Sequence, residues 1–227
     1  MGKMIELTAA DGHKLAAYRA DPVGTNAGKP RGAIVVIQEI FGVNSHIKSV
    51  ADGYAKDGYL AIAPAMFDRL QRGYDTGYSQ PEIQAGIAMM QKLDWKDTLL
   101  DVDAAVAEAK KAGKVGIVGY CWGGTVSWRA AAATKGLACS VPYYGGGMPN
   151  FKDEKPKVPT MCNFGELDQS PTPAQAKELL AKHPEVQGHF YAGAGHGFNC
   201  DQRGSYNAEA SKLARERTLA FFRKHIG

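Results

Sequence analysis

Apolar residues recur along this chain in two alternating rhythms. Residues 33–37 (Ala-Ile-Val-Val-Ile) form an unbroken, largely β-branched run, the pattern of a central strand covered on both faces. Runs of the same kind at 59–63, from Val115 onward, and at 138–144, 160–164 and 187–192 predict further strands. Between them, apolar positions return every three or four residues, which predicts helices. One covers 44–57, capped by Asn44 or Ser45 and stopped by Gly58. A second opens at Pro81 and carries Ile83, Ile87, Met90 and Leu93; a third spans 97–111 with Leu99, Val102, Val106 and Ala109 in helical register. An alanine-rich segment at 125–135 and segments at 172–182 and 207–224 complete the set, the last with Ala210, Leu213, Ala214, Thr218, Phe221 and Phe222 on one face. Ahead of all these, 4–8 and 14–20 read as two strands joined at Asp11-Gly12, a hairpin signal.

Strands alternating with helices specify an α/β fold: a doubly wound, mostly parallel sheet with helices on both faces and the first hairpin at one edge. Three stretches fall outside the periodicity. Residues 21–30 are rich in Gly, Pro and Asn, 65–80 carry Phe67, Arg69, Arg72, Tyr74 and Tyr78, and 148–158 are polar with proline. The long one at 65–80 is a candidate functional loop. Without an internal repeat or a linker, residues 1–227 are expected to form one domain.

Composition narrows the class. Hydrophobic residues at 44% and charged residues at 22% are ordinary for a soluble globular protein. The net charge of +4 is spread without a basic block, which gives nucleic-acid binding no support. The cysteines (Cys121, Cys139, Cys162, Cys200) are far apart with no C-x-x-C pair, as expected of reduced thiols in a cytosol-like compartment. Met1 to Glu6 lead into a strand pattern rather than a signal-peptide core, Glu6 spoils a myristoylation pattern, and no apolar stretch approaches the roughly 20 residues of a membrane span. The expectation is a soluble, cytoplasmic protein with no membrane partner. The histidines have no ligand-like spacing, so no metal site is expected.

In open α/β sheets, ligands bind beyond the carboxyl ends of the strands. Four such ends carry reactive side chains: Glu39, Cys121, Asp168 and His196. Gly119-Tyr120-Cys121-Trp122-Gly123, placed between a strand and a helix, has the layout of a nucleophile elbow with cysteine in place of serine. Taken alone it equally suits a glycine-flanked turn holding a buried structural cysteine. Asp168 alone suits a helix cap, His196 a loop histidine, and Glu39 a salt bridge to an arginine. Their order, nucleophile then acid then histidine, each after its own strand, is that of an α/β-hydrolase triad. His13, His46, His183, His189 and His225 lack flanking glycines at a sheet end and read as surface or structural residues.

Gln38-Glu39-Ile40-Phe41-Gly42, Gly119-Tyr120-Cys121-Trp122-Gly123-Gly124, Tyr143-Tyr144-Gly145, Asp168 and Gly195-His196-Gly197-Phe198 together resemble the dienelactone hydrolase family (carboxymethylenebutenolidases), an α/β-hydrolase group, over essentially the whole chain. The resemblance implies that Cys121 is the nucleophile, His196 the base, Asp168 its orienting partner and Glu39 a carboxylate touching the resting thiol. It also implies an oxyanion hole from the backbone N–H groups of Ile40 and Trp122. A positive imidazole beside a thiol favours the thiolate, whereas a carboxylate favours the neutral thiol. The implied reaction opens a small-molecule lactone or ester through an acyl-thioester, with neither metal nor organic cofactor.

The chain departs from the family where the best-known members bind a substrate carboxylate with two arginines. Cys200 stands at one position, and residues 75–85 contain no arginine. Arg69, Arg72 and Arg203 are the candidate replacements, and Tyr144 and Phe198 further candidate substrate contacts. Three readings follow: a cysteine-dependent lactone or ester hydrolase, a broader carboxylesterase or thioesterase with an apolar pocket of Trp122, Tyr143, Tyr144 and Phe198, and a non-enzymatic binding or redox-responsive protein that reuses the fold.

Overall fold

The computed structural model describes residues 2–24 and 27–227. The strands are β1 (Lys3–Thr8), β2 (Lys14–Ala20), β3 (Ala33–Ile37), β4 (Leu60–Pro64), β5 (Val115–Tyr120), β6 (Leu137–Tyr143), β7 (Met161–Gly165) and β8 (Gln187–Tyr191). The helices are α1 (Ser45–Lys56), α2 (Gln80–Met90), α3 (Trp95–Ala109), α4 (Trp122–Ala133), α5 (Pro173–Lys182) and α6 (Ala208–Ile226). Of the loop expected at 21–30, residues 25 and 26 lie outside the described residues, as does Met1 at the start of the N-terminal reading.

The strands form a single sheet of order β1-β2-β4-β3-β5-β6-β7-β8. The β1–β2 hairpin and its junction with β4 are antiparallel, and every other pairing is parallel. β3 lies at the centre and all five of its residues are buried, as its sequence predicts. Because successive side chains of a strand point to opposite faces, Ile34 and Val36 pack with Ile47, Ala51, Phe221 and Phe222 of α1 and α6. Ala33, Val35 and Ile37 pack on the other face with Val102, Val106, Val126 and Ala130 of α3 and α4.

Some boundaries move. α4 starts at Trp122 rather than 125, because its first turn holds Gly123 and Gly124, residues of poor helix propensity that tertiary contact recruits. α3 starts at Trp95, where the Asp94 carboxylate accepts from the Lys96 and Asp97 N–H groups at 2.7 and 3.2 Å. Leu213, expected on the inner face of α6, is 41% exposed. α2 is the least embedded of the helices, with Gly86 its one buried residue. No helix among the described residues is long and apolar enough to cross a membrane.

Candidate active site

β5 ends at Tyr120 and α4 begins at Trp122, so Cys121 alone makes the turn. It does so at φ 56° and ψ −120°, a conformation costly for any residue with a Cβ. Its surroundings hold it there. Cys121 N–H donates to the Tyr143 carbonyl at 3.1 Å, and its own carbonyl accepts from Gly124 N–H at 2.9 Å. A methyl group on Gly119 would overlap the Gly123 carbonyl, and one on Gly123 would overlap those of Ile37 and Gln38. The glycines of the elbow are therefore required by close approach of backbone to backbone.

Ile37 of β3 pairs with Gly119 of β5, which sets the loop after β3 beside the elbow. Buried Gln38 fixes that loop: its side-chain carbonyl accepts from Met66 N–H at 3.0 Å and its amide donates to the Glu39 carbonyl at 3.2 Å. Among the described residues, no backbone carbonyl takes the Ile40 or Trp122 N–H in the turns and loops, and Trp122, at the first turn of α4, has no intrahelical acceptor.

From the neighbouring strands β7 and β8 come Asp168 and His196. His196 Nδ1 lies 3.0 and 3.2 Å from the two oxygens of buried Asp168, whose Oδ1 also accepts from Ser170 N–H at 2.8 Å. Burial disfavours charge on His196, but the Cys121 sulfur and the Asp168 carboxylate outweigh it and hold the imidazolium well above its ordinary range. Cys121 and His196 both line one cavity of about 530 Å³. All four cysteines are unpaired. Cys139 and Cys162 are buried, and burial pushes the Cys139 thiol up to about 12, whereas Cys121 is partly open to the cavity.

Glu39 is 1% exposed, and Arg203 Nη1 donates to its Oε1 at 3.1 Å. Its Oε2 has no hydrogen-bond partner among the described residues. The expected contact with the thiol is thus not present as a hydrogen bond; the carboxylate is turned to Arg203. Of the three candidate arginines, only Arg203 reaches the cavity. Arg69 is bound away from it by Asp101, at 2.8 Å through two donors, and by Asp11 at 2.8 Å. Arg72 is exposed, 3.8 Å from Glu6. Tyr144 and Phe198 do not line the cavity either. They are fully buried with their rings 5.2 Å apart, and the Tyr144 ring packs edge-on to His196 at 5.2 Å. Tyr143, the other tyrosine of the expected apolar pocket, is buried against Thr218, and only Trp122 of that group faces the cavity.

A model of the dienelactone hydrolase family matches residues 15–226. The chain belongs to that family. It is 34% identical to a putative carboxymethylenebutenolidase of Synechocystis over 94% of this chain and 93% of that one. It is 32% identical to a carboxymethylenebutenolidase of Pseudomonas putida over 96% and 94%. A putative dienelactone hydrolase of Klebsiella pneumoniae has the same fold, with a TM-score of 0.84 at 27% identity over 98% of this chain and all of that one. The protein is accordingly a hydrolase of lactones or carboxylic esters, with an α/β-hydrolase fold.

This member of the dienelactone hydrolase family has a cavity wall that residue types alone did not reveal. Ile83, Ile87 and Met90 of α2 face it, with Leu93, Trp95 and Phe151 beyond. Helical spacing marked the α2 residues, but such a stripe ordinarily packs into the core. The available signal was that α2 follows the long aperiodic loop. Gly86 of α2 sits directly on the Ile40 carbonyl, where a methyl group would overlap it.

Proposed function

We propose that the protein hydrolyses small lactones or esters through an acyl-thioester on Cys121. Substrate binding turns the Glu39 carboxylate to the Cys121 S–H; Glu39 takes that proton, and the thiolate attacks the substrate carbonyl carbon. The carbonyl oxygen becomes an oxyanion between the Ile40 and Trp122 N–H groups, and one such donor is typically worth about 3–4 kcal/mol in the transition state. Collapse breaks the C–O bond, and the departing alkoxide takes the proton from His196; in a lactone this opens the ring. Water then gives a proton to His196, restoring the imidazolium, and attacks the thioester, and the acid leaves as the thiolate recovers its proton from Glu39. Asp168 holds the imidazole orientation throughout. Glu39, when ionised, favours the neutral resting thiol and so guards it from oxidation.

One observation carries this reading. A cysteine held at positive φ shares a cavity with an aspartate-anchored histidine and with Ile40 and Trp122, whose N–H groups have no backbone-carbonyl partner among the described residues. A second observation favours neutral substrates over carboxylated ones. The cavity is lined chiefly by apolar side chains, and its lining arginine, Arg203, is already paired with Glu39.

The test is steady-state hydrolysis of a carboxylated lactone, a neutral lactone, and short and long nitrophenyl esters, with intact mass spectrometry of the quenched enzyme. Neutral substrates are expected to be preferred, with an acyl adduct on Cys121 that disappears in Cys121→Ala. Turnover that survives Cys121→Ala would overturn the nucleophile assignment. A preference for the carboxylated lactone would overturn the neutral-substrate assignment.

A further inference from the structure

Next to the proposed reaction centre lies a cluster of which the steps above use only Glu39. A carboxylate oxygen of Glu39, a ring nitrogen of His46 and the Cys200 sulfur lie within 4.8 Å of one another, and all three residues are buried. They come from the loop after β3, the first turn of α1 and the segment after His196, so nothing in their linear spacing joins them. Glu39 Oε2 and His46 Nε2 are both buried with no hydrogen-bond partner among the described residues. Orphaned polar atoms on two residues of one buried cluster are a debt that native structures settle with water or an ion.

The donor set and its support favour an ion. Carboxylate oxygen, imidazole nitrogen and thiolate sulfur are the ligand types of zinc. The other ring nitrogen of His46, Nδ1, is 3.3 Å from the Asp201 carboxylate, the arrangement that fixes the tautomer of a metal-binding histidine and leaves Nε2 its lone pair. The Cys200 S–H donates to the Tyr78 hydroxyl at 3.3 Å, which Asn44 in turn holds at 2.9 Å. Once that sulfur is a thiolate, the same phenol can donate to it. His46 and Asp201 also line a second cavity of about 200 Å³ that shares no lining residue with the one holding Cys121. Bonds of about 2.0–2.3 Å place tetrahedral donors roughly 3.3–3.8 Å apart, so ligation requires the side chains to draw in by at most about 1.5 Å.

We propose that Glu39, His46 and Cys200 form a site for a thiophilic divalent cation of the zinc type, and that its occupation inhibits the hydrolase. As the metal binds, Cys200 releases its proton to solvent and a sulfur–metal bond forms. The two positive charges are met by the Glu39 carboxylate and the Cys200 thiolate, with His46 neutral and water in the fourth position. Oε2 ligates while Oε1 keeps Arg203. Inhibition rests on the role of Glu39 given under Proposed function; binding does not.

The two are separated by measuring binding in Cys121→Ala protein, which lacks the proposed nucleophile. Cobalt(II) titration is expected to saturate at one equivalent with a near-ultraviolet sulfur-to-cobalt band that zinc displaces. The band is expected to vanish in Cys121→Ala/Cys200→Ser, and affinity to fall at least tenfold in Cys121→Ala/His46→Gln. Zinc is also expected to raise the melting temperature of the Cys121→Ala protein and not of either double variant, each first checked for a cooperative melt. If a double variant does not fold, Glu39→Gln in the same background takes its place, with the same tenfold loss expected. A band present in wild type and absent in Cys121→Ala would put the metal on the reactive thiol and overturn the site, as would affinity indifferent to His46 and Cys200. In the wild-type enzyme, saturating zinc is expected to slow ester hydrolysis at least tenfold. Binding without slowing would overturn the inhibitory half alone.

Discussion

Asp168 and Glu39 are both carboxylates beyond the carboxyl end of a sheet strand, each 1% exposed, yet they are held in opposite ways. Asp168 has both oxygens engaged, by His196 and by the Ser170 N–H. Glu39 has one oxygen on Arg203 and the other unpartnered. A buried carboxylate that is fully satisfied serves position, because moving it would strand several groups at once. One that is half satisfied can change partners cheaply, and it sits where changing partners would alter the charge felt by Cys121.

Replacing each carboxylate by its amide tests that difference. Asp168→Asn removes the group that orients His196, and kcat/KM is expected to fall by about 10³–10⁴, chiefly in kcat, as for an orienting aspartate in a triad. A loss under tenfold would break the contrast from the Asp168 side. Glu39→Gln is expected to lower kcat/KM by about 10–100-fold, the scale of one proton-handling contribution at most. The rate of Cys121 alkylation by iodoacetamide separates the two variants by sign. It is expected to rise in Glu39→Gln, where a charge favouring the neutral thiol is lost, and to fall in Asp168→Asn, where the imidazolium is less well supported. Changes in the same direction would end the comparison.

The smallest effect is read by NMR titration of His196. With the Cys121 sulfur and Asp168 outweighing burial, its midpoint is expected above the ordinary 6.5. The sign follows from linkage: a raised folded value gives a stabilising contribution that is complete below the unfolded value and lost as pH climbs through the folded one. In Cys121→Ser the midpoint is expected to drop, and in Asp168→Asn to drop as well. Glu39→Gln, on the half-satisfied carboxylate, is expected to move it less than either. A midpoint below 6.5 in the wild type would show burial winning.

The fold was legible where the sequence encoded it locally. The apolar run of β3 and its flanking helices needed no knowledge of distant contacts, and Asp11-Gly12 marked the hairpin. The start of α4 was hidden because Gly123 and Gly124 are poor helix formers recruited by backbone packing. At the site, Cys121, Asp168 and His196 stood out because each follows a strand and the family's motifs surround them. The arginines could not be sorted from sequence: Arg69 and Arg203 differ only in which carboxylates the fold brings to them. His46 reads as an ordinary structural histidine until folding sets it beside Glu39 and Cys200, whose numbers give no hint of proximity.

The seat of Gly86 on the Ile40 carbonyl has a consequence for how this enzyme measures its substrates. α2 supplies one wall of the cavity, and a molecule too long for that space must push the wall outward. The carbonyl that α2 rests on belongs to the residue whose N–H, in the preceding peptide, is proposed to receive the oxyanion. An oversized substrate would therefore spoil its own reaction by tilting the donor that should stabilise it. Length selection would then show as a fall in turnover while binding stayed strong, so the ruler and the reaction would share one moving part.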